Sequence, residues 1–211
     1  FRNRLIVPIH DMQGRVVAFG GRSLDGQEPK YLNSPESEIF EKGKMLFAFE
    51  KASSNIRKRD KAIIVEGYFD VISLHSKGIT NSVASLGTAL NKYQISQLCR
   101  CTDNKNIILN FDSDNAGILA TKRVIKEVES LSIHDQINLK ILQLSDFKDP
   151  DEYLNSHTPE DYFNLIDNSS FWIDWEIDQI FKDKDLTKSE IFQSVISSLV
   201  KLLSKLPQSS T

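Results

Sequence analysis

The residues in this 211-residue chain that could do chemistry are carboxylates placed just after apolar runs. Ala62-Ile63-Ile64-Val65 ends in Glu66 and Gly67, and Asp70 completes an E-G-x-x-D spacing. Asn106-Ile107-Ile108-Leu109-Asn110-Phe111 leads into Asp112-Ser113-Asp114, and the run from Leu139 to Leu144 precedes Asp149-Pro150-Asp151. Carboxylates that converge on one crevice repel each other and take up protons unless a cation is present. The candidate ligands are all oxygens, with no supporting His or Cys, which points to a hard cation such as Mg²⁺ or Mn²⁺. Held by few carboxylates, such an ion keeps water and phosphate oxygens as its other ligands, the arrangement used in phosphoryl and nucleotidyl transfer. Each motif alone has a plainer reading: a lone D-x-D is a turn or a helix cap, and a lone E-G-x-x-D says less still. Three acid sets, each following a strand, favour the metal.

Those acids need a scaffold that brings strand ends together. Short apolar runs predict strands at 62–65, 82–86, 106–111 and 139–144. Helices are expected between them at 68–76 (with Gly78 just beyond its end), 91–100 and 116–131, the last with a buried stripe of Ile118, Leu119, Val124, Ile125 and Val128. Strands alternating with helices imply an α/β fold with a mainly parallel sheet flanked by helices. In such sheets, sites form beyond the carboxyl ends of strands, where Glu66 and Asp112 fall.

The front of the chain has a different character. Residues 1–60 carry 11 Lys/Arg against 8 Asp/Glu, and the remaining 151 carry 15 against 21. A basic front joined to an acidic centre suits an anionic partner with a metal as bridge, although an uneven solvated surface is the plainer account of charge alone. Two strands, 5–10 and 15–20, form a predicted hairpin across the turn 11–14. A start within a strand suggests a piece of a longer protein. Gly20-Gly21-Arg22 suits either a phosphate approaching bare backbone or a simple bend. Residues 23–45 read as loop, with Lys30-Tyr31-Leu32-Asn33-Ser34 bracketed by Pro29 and Pro35 and offering one charge, one stacking ring and two polar groups. A helix is expected at 45–59, its basic end Arg57-Lys58-Arg59 favourable to its own dipole.

Composition excludes several classes. Hydrophobic content of 40% and charged content of 26% are those of a globular domain, and no apolar run approaches bilayer length. Cys99 and Cys101 are too few and too close for a disulfide framework and lack partners for a zinc site, so both read as plain helix residues of a reducing, cytoplasmic protein. The tail is helical: Thr158-Pro159-Glu160 starts one helix, an aromatic stripe follows at Phe171, Trp172 and Trp175, and Ile191, Val195, Ile196, Leu199, Leu202, Leu203 and Leu206 keep helical spacing. A small bundle with the aromatics in its core is expected. The domain boundaries expected are 1–59, 60–145 and 146–211.

The E-G-x-x-D of Glu66 to Asp70 with the D-x-D of Asp112 and Asp114 resembles the Toprim fold. Ala84-Ser85-Leu86-Gly87-Thr88, Asp112-Ser113-Asp114-Asn115-Ala116-Gly117, Phe19-Gly20-Gly21-Arg22, Lys30-Tyr31-Leu32-Asn33-Ser34-Pro35 and Lys42-Gly43 narrow the resemblance to bacterial DnaG-type primases, over residues 1 to about 154. The fold implied is a Toprim-type sheet preceded by part of a basic α+β subdomain and followed by a small helical bundle. The activity implied is DNA-templated synthesis of short RNA primers, by nucleotidyl transfer with two or more Mg²⁺ or Mn²⁺ ions. Through the resemblance Glu66, Asp112 and Asp114 are the principal metal ligands, Asp149 and Asp151 an outer acidic pair, and Asp70 a support. Arg22, Lys30, Asn33 and Lys42 line a groove for template and nucleotide. One metal near Glu66 and Asp112 would activate the primer 3′-hydroxyl; a second, near Asp112 and Asp114, would hold the triphosphate. Ser113-Asp114-Asn115 departs from the Gly-Asp-Arg common in the family, so a basic contact nearby is missing. The partners implied are single-stranded DNA, ribonucleoside triphosphates and an RNA primer, with a replicative helicase for the full-length protein; no membrane is involved. The zinc ribbon and helicase-binding domain of a full primase fall outside these residues, so no zinc is expected here. Strand cleavage by a Toprim nuclease or topoisomerase, or a non-catalytic nucleic-acid-binding module, remain alternatives.

Overall fold

The run Ala62–Val65 forms β4, all of whose side chains are fully buried. A strand covered on both faces can be uniformly apolar, which is why the sequence shows no alternation here. Around β4 lie β5 (Ser82–Ala84), β6 (Asn106–Asn110) and β7 (Asn138–Ile141), in the order β5-β4-β6-β7 and all parallel. Val65 stands beside Ala84 on one side and Asn110 on the other, so the strand tips are level and the segments after β4 and β6 leave at the same edge. The crossovers contain α2 (Tyr68–Ser76), α3 (Lys92–Cys99) and α4 (Asn115–Glu129), as parallel pairing requires. This is the expected α/β architecture, a parallel sheet with helical crossovers.

The structure is a computed structural model that describes residues 1–131, 136–144 and 146–205. It divides into two compact units, Phe1–Ser169 and Ser170–Thr211. The first unit also holds an antiparallel sheet of β1 (Arg4–His10), β2 (Val16–Ser23) and β3 (Tyr31–Asn33), followed by a 3₁₀ turn at Lys42–Lys44 and α1 (Phe49–Arg59). After β7 come α5 (Pro150–Leu154) and α6 (Pro159–Asp167), capped by the side chains of Asp149 and Thr158. One hydrophobic core joins these parts, with Val7 and Ile9 from β1, Ile63 and Val65 from β4, and Tyr153, Tyr162 and Ile166 from α5 and α6. Residues 146–169 therefore share a core with the sheet.

Several elements differ from expectation for identifiable reasons. The segment 23–45 contains β3, because Tyr31, Leu32 and Asn33 pair with Arg22, Gly21 and Gly20. Gly20-Gly21-Arg22 accordingly continues β2 instead of ending it. The bare backbone there admits rings: a Cβ on Gly20 would lie 2.6 Å from the Tyr68 ring, and one on Gly21 2.7 Å from Phe1. α1 begins at Phe49 and not at 45, since Phe47 bridges to Ala84 with its N–H donating to the Ala84 carbonyl at 2.8 Å. Residues 142–144 leave the strand geometry of β7 at Ile141. Cys101 lies in a turn beyond α3, so only Cys99 is a helix residue, and both are free thiols.

The second unit contains a two-residue strand β8 (Ser170–Phe171) and the helices α7 (Trp172–Phe181) and α8 (Ser189–Leu203), which pack on each other. Trp175, Val195 and Leu202 are buried, whereas Phe171, Ile196 and Leu203 are about half exposed, so the aromatic stripe is core only at Trp175. Leu206, expected to extend the stripe, lies outside the described residues. Among the described residues no helix is long and apolar enough to cross a membrane.

Candidate active site

Glu66 follows β4 directly, and its position is fixed by the turn behind it. Gly67 caps α2, and the Asp70 carboxylate reaches back to accept the Gly67 N–H at 2.9 Å. The E-G-x-x-D spacing is thus a capping arrangement that closes the chain around Glu66. Glu66 Oε1 accepts the backbone N–H of Asp112 at 3.1 Å, which ties the first acid to the loop carrying the second. Asp114 caps α4 by accepting the Gly117 N–H at 2.9 Å. Gly117 is needed there: a Cβ would sit 2.0 Å from the Asp112 carbonyl oxygen, an impossible contact with backbone. Asp149 accepts the Glu152 N–H at 2.9 Å at the start of α5.

These tips border a cleft of about 310 Å³ between the two sheets. Its acidic wall carries Glu66, Asp70, Asp112 and Asp149 together with Lys148; Lys30, Tyr31 and Asn33 face them from the β3 strand and its approach. Gly67, Tyr68, Ser85 and Gly87 complete the lining. Asp114, Asp151, Arg22 and Lys42 are not lining residues. Asp151 instead accepts the Ser73 hydroxyl at 2.6 Å, joining α5 to α2. Arg22 stacks its guanidinium 4.8 Å from the Phe69 ring and 5.9 Å from Tyr31. Lys42 sits in the 3₁₀ turn, with its backbone N–H bound to the Glu36 carboxylate at 3.1 Å. Asn33 lines the cleft, but its amide is engaged on both sides: Nδ2 donates to the Leu86 carbonyl at 2.8 Å, and Oδ1 accepts the Tyr68 hydroxyl. It pins the antiparallel sheet to the parallel one.

The acids influence one another. Burial raises the Glu66 carboxyl above its ordinary range, the charges of Asp112 and Asp114 push it further, and the Asp112 N–H partly offsets them. Burial, then the charges of Asp149 and Asp114, raise Asp112, with Lys148 opposing. Asp70 is pushed up to about 6, chiefly by burial. Among the described residues no three His, Cys, Asp or Glu side chains are gathered closely enough to form a ligand set as they stand. The donor chemistry nevertheless fits a hard divalent cation: the groups are all carboxylates and mutually repelling, and Glu66 commits one oxygen to Asp112 while its other oxygen has no hydrogen-bond partner among the described residues.

Sequence reasoning missed Lys148 and the linking role of Tyr68. The only signal for Lys148 is adjacency to Asp149. Nothing in the pattern marks Tyr68, whose ring fills the space left by Gly20.

Comparison with known proteins accords with this geometry. A Toprim-like family model matches residues 63–154, and that of the DNA primase catalytic core, N-terminal domain, matches residues 1–53. The DNA primase of Synechococcus elongatus is 54% identical over 207 residues, which cover 98% of this chain and 30% of that protein. The Escherichia coli primase catalytic core superposes with a TM-score of 0.82 at 33% identity, covering 98% of this chain and 65% of that one. A DnaG primase catalytic domain solved bound to single-stranded DNA gives a TM-score of 0.82 at 32% identity, covering all of this chain and 67% of that one. A Toprim core carrying an acidic cleft defines the class. The chain belongs to the bacterial DnaG-type DNA primases, of whose catalytic core it is a part. It spans about a third of the length of the curated primases it matches.

Proposed function

We propose that this chain contributes the catalytic cleft of a DNA primase, which copies single-stranded DNA into short RNA primers by nucleotidyl transfer. The observation that carries the reading is the cleft itself, in which acids from the tips of β4 and β6 face Lys30 from the antiparallel sheet. Toprim-family primases generally use divalent metal ions. Glu66, Asp112 and Asp114 would hold such ions here, with Asp149 and Asp151 as an outer pair. When bound, the metal lowers the pKa of an attacking hydroxyl and neutralises phosphate charge.

The chain's own residues supply the rest. The Asp70–Gly67 bond keeps Glu66 at the strand tip, and the Glu66–Asp112 bond holds the two acids in register. Lys30 offers a flexible point charge to phosphate oxygens. Arg22, whose guanidinium rests against the Phe69 and Tyr31 rings, would offer charge to a nucleic-acid backbone outside the cleft. Lys42 would add charge along the same groove. Asn33 serves by holding the two walls at a constant separation. Single-stranded DNA is bound by the related domain named above, which supports it as the template here.

The test is template-dependent ribonucleotide incorporation on single-stranded DNA with Mg²⁺ or Mn²⁺, run beside a nicking assay. Incorporation that disappears in Glu66→Gln supports the reading; cleavage without incorporation overturns it.

A further inference from the structure

We propose that Lys148 is a second phosphate-binding residue of the cleft, contacting the triphosphate of the incoming ribonucleotide from the acidic wall. The inference rests on the primase reading and extends it to a residue outside the matched basic set. Lys148 lines the cleft beside Asp112 and Asp149, although its own segment precedes α5 and is strongly acidic. Its backbone N–H donates to Glu152 Oε2 at 2.7 Å, which fixes the main chain at this point. The Asp149 carboxylate accepts the Glu152 N–H through one oxygen. Among the described residues no salt bridge holds the Lys148 ammonium, although its charge acts on Asp112.

Charge balance gives that ammonium a use. When ionised, the four lining carboxylates outweigh the two lysines and leave the cleft net negative, a poor host for a phosphate. Divalent cations on the acids reverse the sign, and the lysines then add attraction where metal coordination ends. Lys30 and Lys148 enter from separate elements on separate walls. Two spaced point charges suit a chain of phosphates better than a single one, so the pair should discriminate a triphosphate from a monophosphate. Arg22 cannot fill this place, because its guanidinium is stacked on Phe69 outside the lining.

Lys148 is exposed and its only described bond is through the backbone, so Lys148→Ala keeps the fold, which circular dichroism checks. The experiment measures binding of a fluorescent ATP, of AMP by competition, and of labelled single-stranded DNA to this chain with Mg²⁺. Lys148→Ala should weaken the triphosphate about tenfold while AMP and single-stranded DNA change less than about twofold, as for loss of one charge-assisted phosphate contact. Lys148→Arg should recover most of the loss, and Lys77→Ala, remote on the surface, should change nothing. Unchanged triphosphate binding in Lys148→Ala overturns the proposal, as does an equal loss for triphosphate and single-stranded DNA, which would indicate a template contact. Glu66→Gln separates the two readings. If it retains metal-dependent triphosphate binding, the metal-site reading fails while the Lys148 result stands; a wild-type chain that binds no triphosphate with Mg²⁺ overturns both.

Discussion

The two sheets of the first unit stand on opposite sides of one cleft and are built by opposite rules. In the parallel sheet, β4 is buried along its whole length, and the residues that matter lie just past the strand tips. In the antiparallel sheet one face is open, with Ile6 and Phe19 each more than 40% exposed, and the residues that matter project from β3 and its approach. In the proposed reading the acids, which would share an ion, come from the buried sheet. Lys30 and Tyr31, which in the same reading meet a flexible anion, come from the open side, while Lys148 stands on the acidic wall.

That contrast can be broken experimentally. Glu66→Gln and Asp112→Asn should each lower metal-dependent primer synthesis by about a thousandfold, some 4 kcal/mol, with unchanged circular dichroism. Residual activity within tenfold would mean that the parallel-sheet tips are not the reacting side. Next in size, Ile64→Ala should destabilise the fold by about 3 kcal/mol in a urea titration, whereas Ile6→Ala on the open sheet should cost under about 1 kcal/mol. Equal costs would remove the distinction between the sheets. Removing the link should fall between these effects and background: Tyr68→Phe leaves Asn33 Oδ1 without its donor and should cost about 1 kcal/mol.

The smallest effect concerns Asp70. Its carboxyl is raised from 3.8 to about 6, so the folded state favours the protonated form. The associated stability is fully present below about pH 4 and is lost as the pH rises through about 6. Asp70→Asn, which keeps an acceptor for the Gly67 N–H, should therefore melt about 2–4 °C above wild type at pH 7.5 without divalent metal, and match it near pH 4. A higher melting temperature at both pH values would point to packing instead of charge.

The parallel sheet was legible because uninterrupted apolar runs ending in an acid have few other readings, and Glu66 and Asp112 could be placed from them alone. β3 was not legible: three residues with exposed and half-exposed side chains carry no periodicity, and pairing with Gly20–Arg22 is a tertiary fact. The start of α1 was displaced for a similar reason, since Met45 to Ala48 fit a helical pattern but Phe47 bridges to β5. Within the site, Asn33 was legible as a cleft residue, but its engagement by Leu86 and Tyr68 depends on chain segments far away in sequence. Lys148 carried no signal beyond its adjacency to Asp149, because a single lysine before a helix cap looks like any solvated charge.

Gly117 has a bearing on how variants of this chain should be chosen. The missing side chain acts as a spacer set to zero between the first turn of α4 and the Asp112 backbone. Adding one methyl group would move the loop that holds two carboxylates without removing either of them. Gly117→Ala therefore keeps every charge while forcing the Asp112 backbone and the first turn of α4 apart, which a deletion of Asp112 or Asp114 does not do. A chain that still bound single-stranded DNA but no longer joined nucleotides after that change would show how closely the chemistry depends on distance.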